Sequence, residues 1–475
     1  MILTFLGHQS WLVSCGDTHI LIDPILKDSF GSDDDNGIEI YPPRFIDIES
    51  MPRISGIILS HEHSDHFHIP SLKYFPNIPI FFGSLMPQCV QKTIEDHDLK
   101  SQIIPFFTTI TLDEIEFKLY PADSETVLWE SRVTQILLTD SRNPEDSVFI
   151  AVDALVSNEF KNDLNNNIIT KPTAIILSNN SQLTPKGVLG SLDNFKNIDN
   201  SKAGMDGLSL LHEMLVSYLI DIEDIKHIVI CGGGFTKKYD TQFGPFLLSD
   251  QQELAQIANN IILQDSKIYG PLPGEVIEIY SQNVLMKTSA PWIKLNKDRL
   301  TQILDQAVIF ASRNDQSVQI RPVLTTQIVS EINLIENELN KMAKALMISK
   351  IGGDAIFELS NNEKLLSPYG LLINFSLDQY LNNWRTYGLN FNKGKFEEIK
   401  HDSLSAPYGL DMFWNDFLGL IAGEIQIWDL GGIAIRSWYP DNSKMNSPVA
   451  FLYSYFGEQL HNQLNYICYQ KRWLK

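Results

Sequence analysis

The sequence predicts an α/β protein in which an αββα sandwich, two β-sheets between outer helices, is followed by a smaller α+β domain. Three observations lead to this prediction. The first half of the chain contains many apolar, strand-like stretches with few helical ones between them. The early strands follow one another directly, as antiparallel strands do, and the later ones alternate with helical stretches. Near residue 288 the pattern changes to long segments with helical periodicity.

The strands of the sandwich are predicted from apolar stretches bounded by turn residues. Residues 2–15 and 19–26 form the first pair, and Gly16, Asp17 and Thr18 between them are a hairpin signal. The remaining strand-like stretches of this part are residues 54–60, 78–84, 115–123, 132–140, 147–157, 173–181, 225–234, 270–280 and 281–287.

Two domains follow from these patterns: a catalytic domain over residues 1–287 and an α+β domain over residues 288–475. A hydrophobic content of 44% is enough for each domain to bury a core. Helical stretches are predicted at residues 207–220, 297–313 and 325–347, and strand-like stretches of the second domain at residues 355–361 and 370–376. The sequence assigns no chemistry to the second domain.

The balance of charge argues against some classes of partner. The chain carries 37 Lys and Arg against 58 Asp and Glu, a formal net charge of −21, and its basic residues do not cluster. Phosphate neutralisation dominates affinity for nucleic acids, so this charge argues against a nucleic-acid partner. We therefore expect a small-molecule substrate, while the sequence leaves a homo-oligomer open.

Hydropathy and cysteine usage indicate a cytoplasmic protein without a membrane span. No stretch of about 18 apolar residues occurs, and the first residues form a strand pattern rather than a signal peptide. The four cysteines include no Cys-x-x-Cys pair, which excludes a zinc ribbon and makes a disulfide framework unexpected. These cysteines are Cys15, Cys89, Cys231 and Cys468.

A run of histidines directly follows the apolar strand at residues 54–60. Residues two apart on an extended backbone point to the same side, so His61 and His63 can reach one metal ion together. Asp65 and His66 lie past the turn and are placed to reach a second ion. His68 lies outside this pattern and is expected to be structural. The alternative to a two-metal site is a solvated, histidine-rich loop.

This run, HxHxDH, and the opening FLGHQSWLV resemble the metallo-β-lactamase superfamily over residues 1–285. The branch that the sequence resembles contains L-ascorbate-6-phosphate lactonase and CMP-N-acetylneuraminate hydroxylase. The resemblance implies a dinuclear metal site containing Zn or Fe, with Mn as a further candidate. It also places His8 at the site, where it would contact the substrate or a ligand, and Asp23 as an acceptor that orients a metal-bound histidine. The alternative for both is an ordinary structural polar group.

The family pattern then requires a later His, a bridging Asp and a final His. Asp153, at the end of the strand at residues 147–157, matches the bridging position, and a helix cap or turn residue is the alternative. At the later-His position the sequence has Glu125 as the first candidate ligand and Asp123 as the second. A solvated acidic loop is the alternative there. A carboxylate ligand at this position would favour iron or manganese over zinc.

The final histidine is missing from the sequence. The strand at residues 225–234 ends in Cys231 and three glycines, and a buried structural cysteine is favoured over a thiolate ligand. The glycines would let a backbone approach closely. His212 and His227 are expected to be structural. This departure resembles the CMP-N-acetylneuraminate hydroxylase subgroup, but the Cys-x-His and Cys-x-x-His motifs of a Rieske cluster are missing.

Three functions are compatible with these features. The first is a hydrolase in which a metal-bound hydroxide, oriented by Asp65, attacks a small-molecule lactone, amide or phosphoester. The second is a non-haem di-iron oxygenase or hydroxylase, which would need a separate protein as electron donor. The third is a degenerate metal-binding protein, against which the retained ligand residues argue. We expect an enzyme, with hydrolysis favoured over oxygenation.

Overall fold

The computed structural model describes residues 1–31, 38–124, 126, 131–178, 225–232, 235–237, 251–261, 266–287, 289–312, 328–361, 368–377, 383–400, 406–430, 435–438, 448–457 and 462–473. Within these residues the first large sheet has eight strands. In spatial order they are β19 (Asn283–Lys287), β18 (Val276–Tyr280), β1 (Ile2–Gly7), β2 (Ser10–Cys15), β3 (Thr18–Ile22), β7 (Gly56–Leu59), β8 (Ile80–Gly83) and β9 (Ser101–Ile104). The pairs from β19 to β3 are antiparallel, and those from β3 to β9 are parallel.

The second large sheet has seven strands in the described part of the chain. They are β10 (Thr109–Leu112), β11 (Ile115–Pro121), β12 (Thr134–Asp140), β13 (Asn143–Val152), β14 (Ala174–Ser178), β15 (His227–Cys231) and β17 (Lys267–Tyr269). Strands β10 to β13 pair antiparallel, and β13 to β17 pair parallel. The prediction that early strands pair antiparallel and that later strands alternate with helices is therefore confirmed.

The two sheets pack face to face, with helices on their outer faces. Leu3, Phe5, Ile136 and Leu138 belong to the buried cluster between the sheets. Helices α1 (Ile69–Leu72) and α2 (Gln88–Asp96) contribute to the cluster that covers the first sheet, and α3 (Asn158–Asn165) and α4 (Gln251–Ile261) to the cluster that covers the second. Central strands such as β7 and β14 are buried on both sides, which explains their continuous apolar sequences. The predicted αββα sandwich is confirmed.

The described residues also form two small sheets and short helical turns. Strands β4 (Ser29–Phe30), β5 (Ile38–Ile40) and β16 (Phe235–Lys237) form one sheet, β6 (Arg44–Ile46) and β20 (Ile293–Leu295) form the other, and 3₁₀ turns lie at Ile48–Ser50 and Ile427–Asp429.

A third core lies around a five-stranded sheet in the C-terminal part. The strands, in spatial order, are β23 (Lys395–Ile399), β22 (Trp384–Asn390), β21 (Tyr369–Ser376), β24 (Tyr408–Phe413) and β25 (Ile435–Trp438). The helices of this part are α5 (Lys297–Ser312), α6 (Ile328–Met347), α7 (Lys350–Asn361), α8 (Trp414–Ile421), α9 (Pro448–Gly457) and α10 (Asn462–Trp473). The α+β character is confirmed, while the boundary at residue 288 stays a prediction.

One prediction in this part is wrong. Residues 355–361, expected to form a strand, lie within helix α7. Ile351 and Ala355, four residues apart, belong to the core cluster, whereas Ile356 and Phe357 are exposed. The local apolar run therefore points mostly to solvent, and the helical spacing of the buried positions decides the structure. The predicted helix at residues 207–220 lies outside the described residues.

The C-terminal part packs against the sandwich. Ile25, Phe30, Ile38 and Ile40 from the first part contribute to the C-terminal core. Helix α10 packs against α2, and its Tyr469 ring contacts Phe67 at 5.3 Å between centroids. None of the helices that the structure describes is both long and apolar enough to cross a membrane.

Candidate metal centre

The histidine run lies at the carboxyl end of β7, where the central strand leaves the sheet. The His61 ring lies 4.2 Å from the His63 ring and 4.0 Å from the His66 ring, measured between centroids. All three residues are buried. The Nε2 atoms of His61 and His63 form no hydrogen bond, although buried polar atoms almost always have a partner. A ring nitrogen of this kind can offer its lone pair to a metal cation.

Asp153 completes the first group of candidate ligands. It follows β13, and ligand atoms of His61, His63 and Asp153 lie within 4.8 Å of one another. Its Oδ2 atom lies 3.8 Å from Nε2 of His61 and 3.0 Å from Nε2 of His66. The preceding Val152 has a φ of +56°, a left-handed conformation that a β-branched residue seldom adopts.

A second group contains His8, Asp65 and His66, whose ligand atoms also lie within 4.8 Å of one another. His8 comes from the turn between β1 and β2, and its Nε2 lies 2.8 Å from Oδ2 of Asp65. Nε2 of His66 lies 3.7 Å from the same oxygen. The two groups share one rim of the sandwich, because Oδ2 of Asp153 lies next to His66 of the second group.

Hydrogen bonds to Asp23 set the tautomers of two histidines. Nδ1 of His66 donates to Oδ2 of Asp23 at 2.7 Å. Ser60 donates its backbone N–H and its hydroxyl to Asp23 at 2.7 Å and 2.6 Å. Since that hydroxyl proton is used, Nδ1 of His61, 2.8 Å away, must donate to the Ser60 oxygen. In the neutral rings both Nε2 atoms then carry the lone pair and face the ligand groups.

Charge and burial act differently on the three rings. Burial, helped by the charge of His66, lowers the pKa of His61 and His63 well below the ordinary value, which favours the neutral ligand form. Burial opposes protonation of His66 too, but the carboxylates of Asp65 and Asp23 raise its pKa well above normal. Burial likewise opposes ionisation of Asp153, whereas the hydrogen bond and charge of His66 hold its pKa well below normal.

Gln9 is a residue of the site that the sequence did not reveal. Its Nε2 donates to Oδ1 of Asp153 at 2.5 Å and to Oγ of Ser178 at 3.0 Å, and so fixes the carboxylate of the first group. Its position next to His8 in the turn between β1 and β2 is the signal that could have identified it.

The acidic candidates after β11 do not join either group. Glu125 lies outside the described residues. Asp123 is buried, its backbone N–H donates to the carbonyl of Leu155 at 3.3 Å, and it belongs to neither ligand group. The structure therefore gives no placement for the first candidate and sets the second apart from the two groups.

The end of β15 also differs from a histidine site. Cys231 is buried, and burial raises the pKa of its thiol, which disfavours a thiolate ligand. Gly232 follows it with a φ of +79°, while His212 and the next two glycines lie outside the described residues.

His227 begins the strand and contacts the Tyr269 hydroxyl through Nδ1 at 3.1 Å. Nδ1 of His68 contacts the Ser71 hydroxyl at 2.7 Å.

The C-terminal part covers the first ligand group. The Trp428 ring lies 3.9 Å from the His63 ring, and Tyr453 stacks on Trp428 at 4.9 Å, both measured between centroids. Arg132 forms a close ion pair with Glu62 of the histidine run and donates to the carbonyl of Gly457 at 3.1 Å. These contacts join residues that are distant in sequence, so no local sequence pattern predicts them.

Comparisons with known proteins agree with this architecture. The family model described as a β-lactamase superfamily domain matches residues 2–140. No curated protein sequence matches the chain. The two-sheet core is thus a mixed α/β fold that is consistent with the metallo-β-lactamase fold, with the two candidate ligand groups at its rim.

Several solved structures are similar to this chain. An isothiocyanate hydrolase from Delia radicum gut bacteria is 16% identical with a TM-score of 0.39, covering 61% of this chain and 100% of its own. A possible metal-dependent hydrolase from Veillonella parvula is 14% identical with a TM-score of 0.38, covering 58% and 98%. CmlA, a diiron β-hydroxylase from Streptomyces venezuelae, is 12% identical with a TM-score of 0.37, covering 60% and 54%. These likenesses are too distant to carry an activity over.

Proposed function

We propose that this protein is a metal-dependent hydrolase of a small-molecule lactone, amide or phosphoester. One observation carries the proposal: buried Nε2 atoms of His61 and His63 without hydrogen-bond partners converge on the carboxylate of Asp153. A second set of donors, His8, Asp65 and His66, lies beside them. Paired sites built from imidazole and carboxylate suit two divalent cations in hydrolytic enzymes.

The residues present divide the work of the site. His61, His63 and Asp153 would hold one cation, and Asp65 and His66 the second. When bound, the cations would supply Lewis acidity and lower the pKa of a coordinated water. The Asp65 side chain is 21% exposed and that of Asp153 11%, so Asp65 is better placed to orient an incoming water and accept its proton. Ser60, Asp23 and Gln9 keep the ligands in position through their hydrogen bonds.

The surroundings support a small substrate. Trp428 covers His63 from one side, and the Phe30 ring stacks near His8 at 5.9 Å between centroids. These rings cover two sides of the ligand groups, whereas the Asp65 side chain is partly exposed. The net charge of −21 disfavours a polyanionic partner such as nucleic acid.

A second candidate, a di-iron oxygenase, is favoured by the composition of the donor groups. Each contains two histidines and one aspartate, the ligand types of the 2-His-1-carboxylate triad in non-haem iron oxygenases. Cys231 and Gly232 stand where the family pattern has its final histidine. This reaction would require a separate electron-donor protein. A degenerate binding protein is disfavoured because each group brings together three residues that could hold an ion.

Metal identity and stoichiometry test the proposal. We expect the protein purified without added metal to contain two zinc ions per chain by elemental analysis, and His63→Ala and Asp65→Asn to lower metal content and abolish turnover. His227→Ala is the matched control, because His227 lies at the opposite end of β15. This variant should keep its metal content and its turnover. Two irons with an optical change on reduction and exposure to O₂ would favour the oxygenase. Less than one bound ion per chain would overturn both enzymatic proposals.

A further inference from the structure

We propose that His8 is a protein ligand of the second cation, in place of the histidine that the sequence does not supply after β15. The inference rests on the proposed metal site and adds a ligand to it. Without His8, the second group would offer only Asp65 and His66, beside the shared Asp153. With Asp153 shared, the second cation would have three protein ligands, and His8 would supply the fourth donor that the family pattern takes from its final histidine.

The distances place His8 within the coordination shell of such an ion. Nε2 of His8 lies 2.8 Å from Oδ2 of Asp65, and the His8 ring meets the His66 ring edge-on, with 5.9 Å between centroids and 67° between planes. Two ligand atoms, each about 2.1 Å from one cation, lie about 3 to 3.4 Å apart at octahedral or tetrahedral angles. A small opening of the His8–Asp65 contact therefore admits an ion between the two atoms.

The backbone explains how a residue near the start of the chain reaches this position. His8 has a φ of +52°, and Gly7 before it a φ of +109°. A Cβ atom on Gly7 would meet Nε of Arg44 at 2.9 Å, and that nitrogen donates to the carbonyl of Leu6 at 2.7 Å. The buried Arg44 thus holds the end of β1, and the left-handed turn directs His8 to the rim.

The end of β15 contacts His8 directly. The backbone N–H of Gly232 donates to the carbonyl of His8 at 2.8 Å. A Cβ atom on Gly232 would lie 2.8 Å from Oγ of Ser178 and 3.3 Å from Cγ of Gln9, so this position has no space for a side chain. The residue that follows β15 therefore supports the His8 backbone, and the imidazole comes from the opposite sheet.

Cobalt binding to the full chain tests the assignment without relying on turnover. We expect the metal-free protein to bind two equivalents of Co²⁺ by calorimetry, each with its own visible absorption. His8→Gln keeps a hydrogen-bond donor for Asp65 but removes the imidazole. It should retain one equivalent, bind the second at least about 100-fold more weakly, and change one set of absorption bands. His227→Ala is the control and should bind both equivalents normally.

The outcomes separate the inference from the function on which it rests. If the wild type binds two equivalents and His8→Gln binds both with unchanged affinity and absorption, His8 is only a hydrogen-bonding partner and the inference is overturned alone. If the wild type binds no cobalt, the metal site and the inference both fall. His8→Asn, a residue that tolerates a left-handed backbone, guards against misfolding. A folded His8→Asn variant with unchanged cobalt binding would also overturn the inference.

Discussion

Three residues at or beside the candidate metal centre have a left-handed backbone. His8, Asp23 and Val152 all have positive φ values, of +52°, +43° and +56°. A non-glycine residue in this region costs about 1–3 kcal/mol and persists only where its surroundings impose it. Each of these residues either belongs to a ligand group or adjoins one. The strain therefore agrees with a site whose side-chain positions are more constrained than the fold alone requires.

Asp23→Asn should weaken metal binding without unfolding the protein. The carboxylate accepts from Nδ1 of His66 and from Ser60, and thereby keeps Nε2 of His66 available as a ligand. Loss of such a partner typically lowers metal affinity about 10–100-fold. Competition with a coloured chelator would measure the change. Asp146→Asn alters a buried carboxylate near the start of β13, away from the site, and equal affinities for the two variants would contradict this role for Asp23.

At the scale of elements, the sequence predicted the strands and motifs that depend on residues close together in the chain. The central strands were recognisable because burial on both faces requires continuous apolar runs. The histidine run was recognisable because its donors are adjacent and follow a strand. Gln9 was missed because its partner Asp153 is 144 residues away. Residues 355–361 were misread because their apolar run faces solvent on helix α7.

Gly232→Ala should be more harmful than Gly394→Ala. Both glycines have positive φ values, +79° and +62°, so both substitutions share a backbone cost of about 1–2 kcal/mol. A Cβ atom at Gly394 meets nothing within 4 Å, whereas at Gly232 it would press on Ser178 and Gln9. We therefore expect a larger loss of unfolding free energy for Gly232→Ala in urea, together with weaker metal binding. Equal losses of unfolding free energy would show that Gln9 moves aside without an energetic cost.

At the scale of the whole molecule, the C-terminal part contacts the histidine run, residues 61–66, from outside. Arg132 joins the carboxylate of Glu62 to the carbonyl of Gly457, and the Tyr469 hydroxyl donates to the carbonyl of Glu62 at 3.3 Å. Trp428 adds its ring over His63. Sequence patterns report periodicity and adjacency, so contacts of this kind between distant segments remain invisible until the chain is folded. The covering role of Trp428, Gly457 and Tyr469 follows only from these contacts.

Arg132→Met should destabilise the protein strongly. The Glu62 side chain is 4% exposed, and removal of its partner would leave a buried carboxylate unpaired. Breaking a buried ion pair from one side costs about 3–5 kcal/mol. Urea unfolding at neutral pH would measure the loss. Lys393→Met breaks a pair in which the lysine is exposed and should change stability little, and the double variant Glu62→Gln/Arg132→Met should recover part of the loss. If Arg132→Met were as stable as Lys393→Met, a stabilising role for the Arg132 contact would be ruled out.

Metal binding should stabilise the C-terminal helix as well as the site. A ligand at 100 times its dissociation constant stabilises the native state by about 2.7 kcal/mol, and any opening that releases the ion must overcome that energy. Helix α10 contacts the loop through Tyr469, so its amides should exchange with deuterium more slowly once zinc is added. Strand β23 at the edge of the C-terminal sheet serves as an internal control, because it lies on the opposite edge from β25 and should change little. Slower exchange confined to β7 and the histidine run would show that the C-terminal part covers the site without being energetically coupled to it.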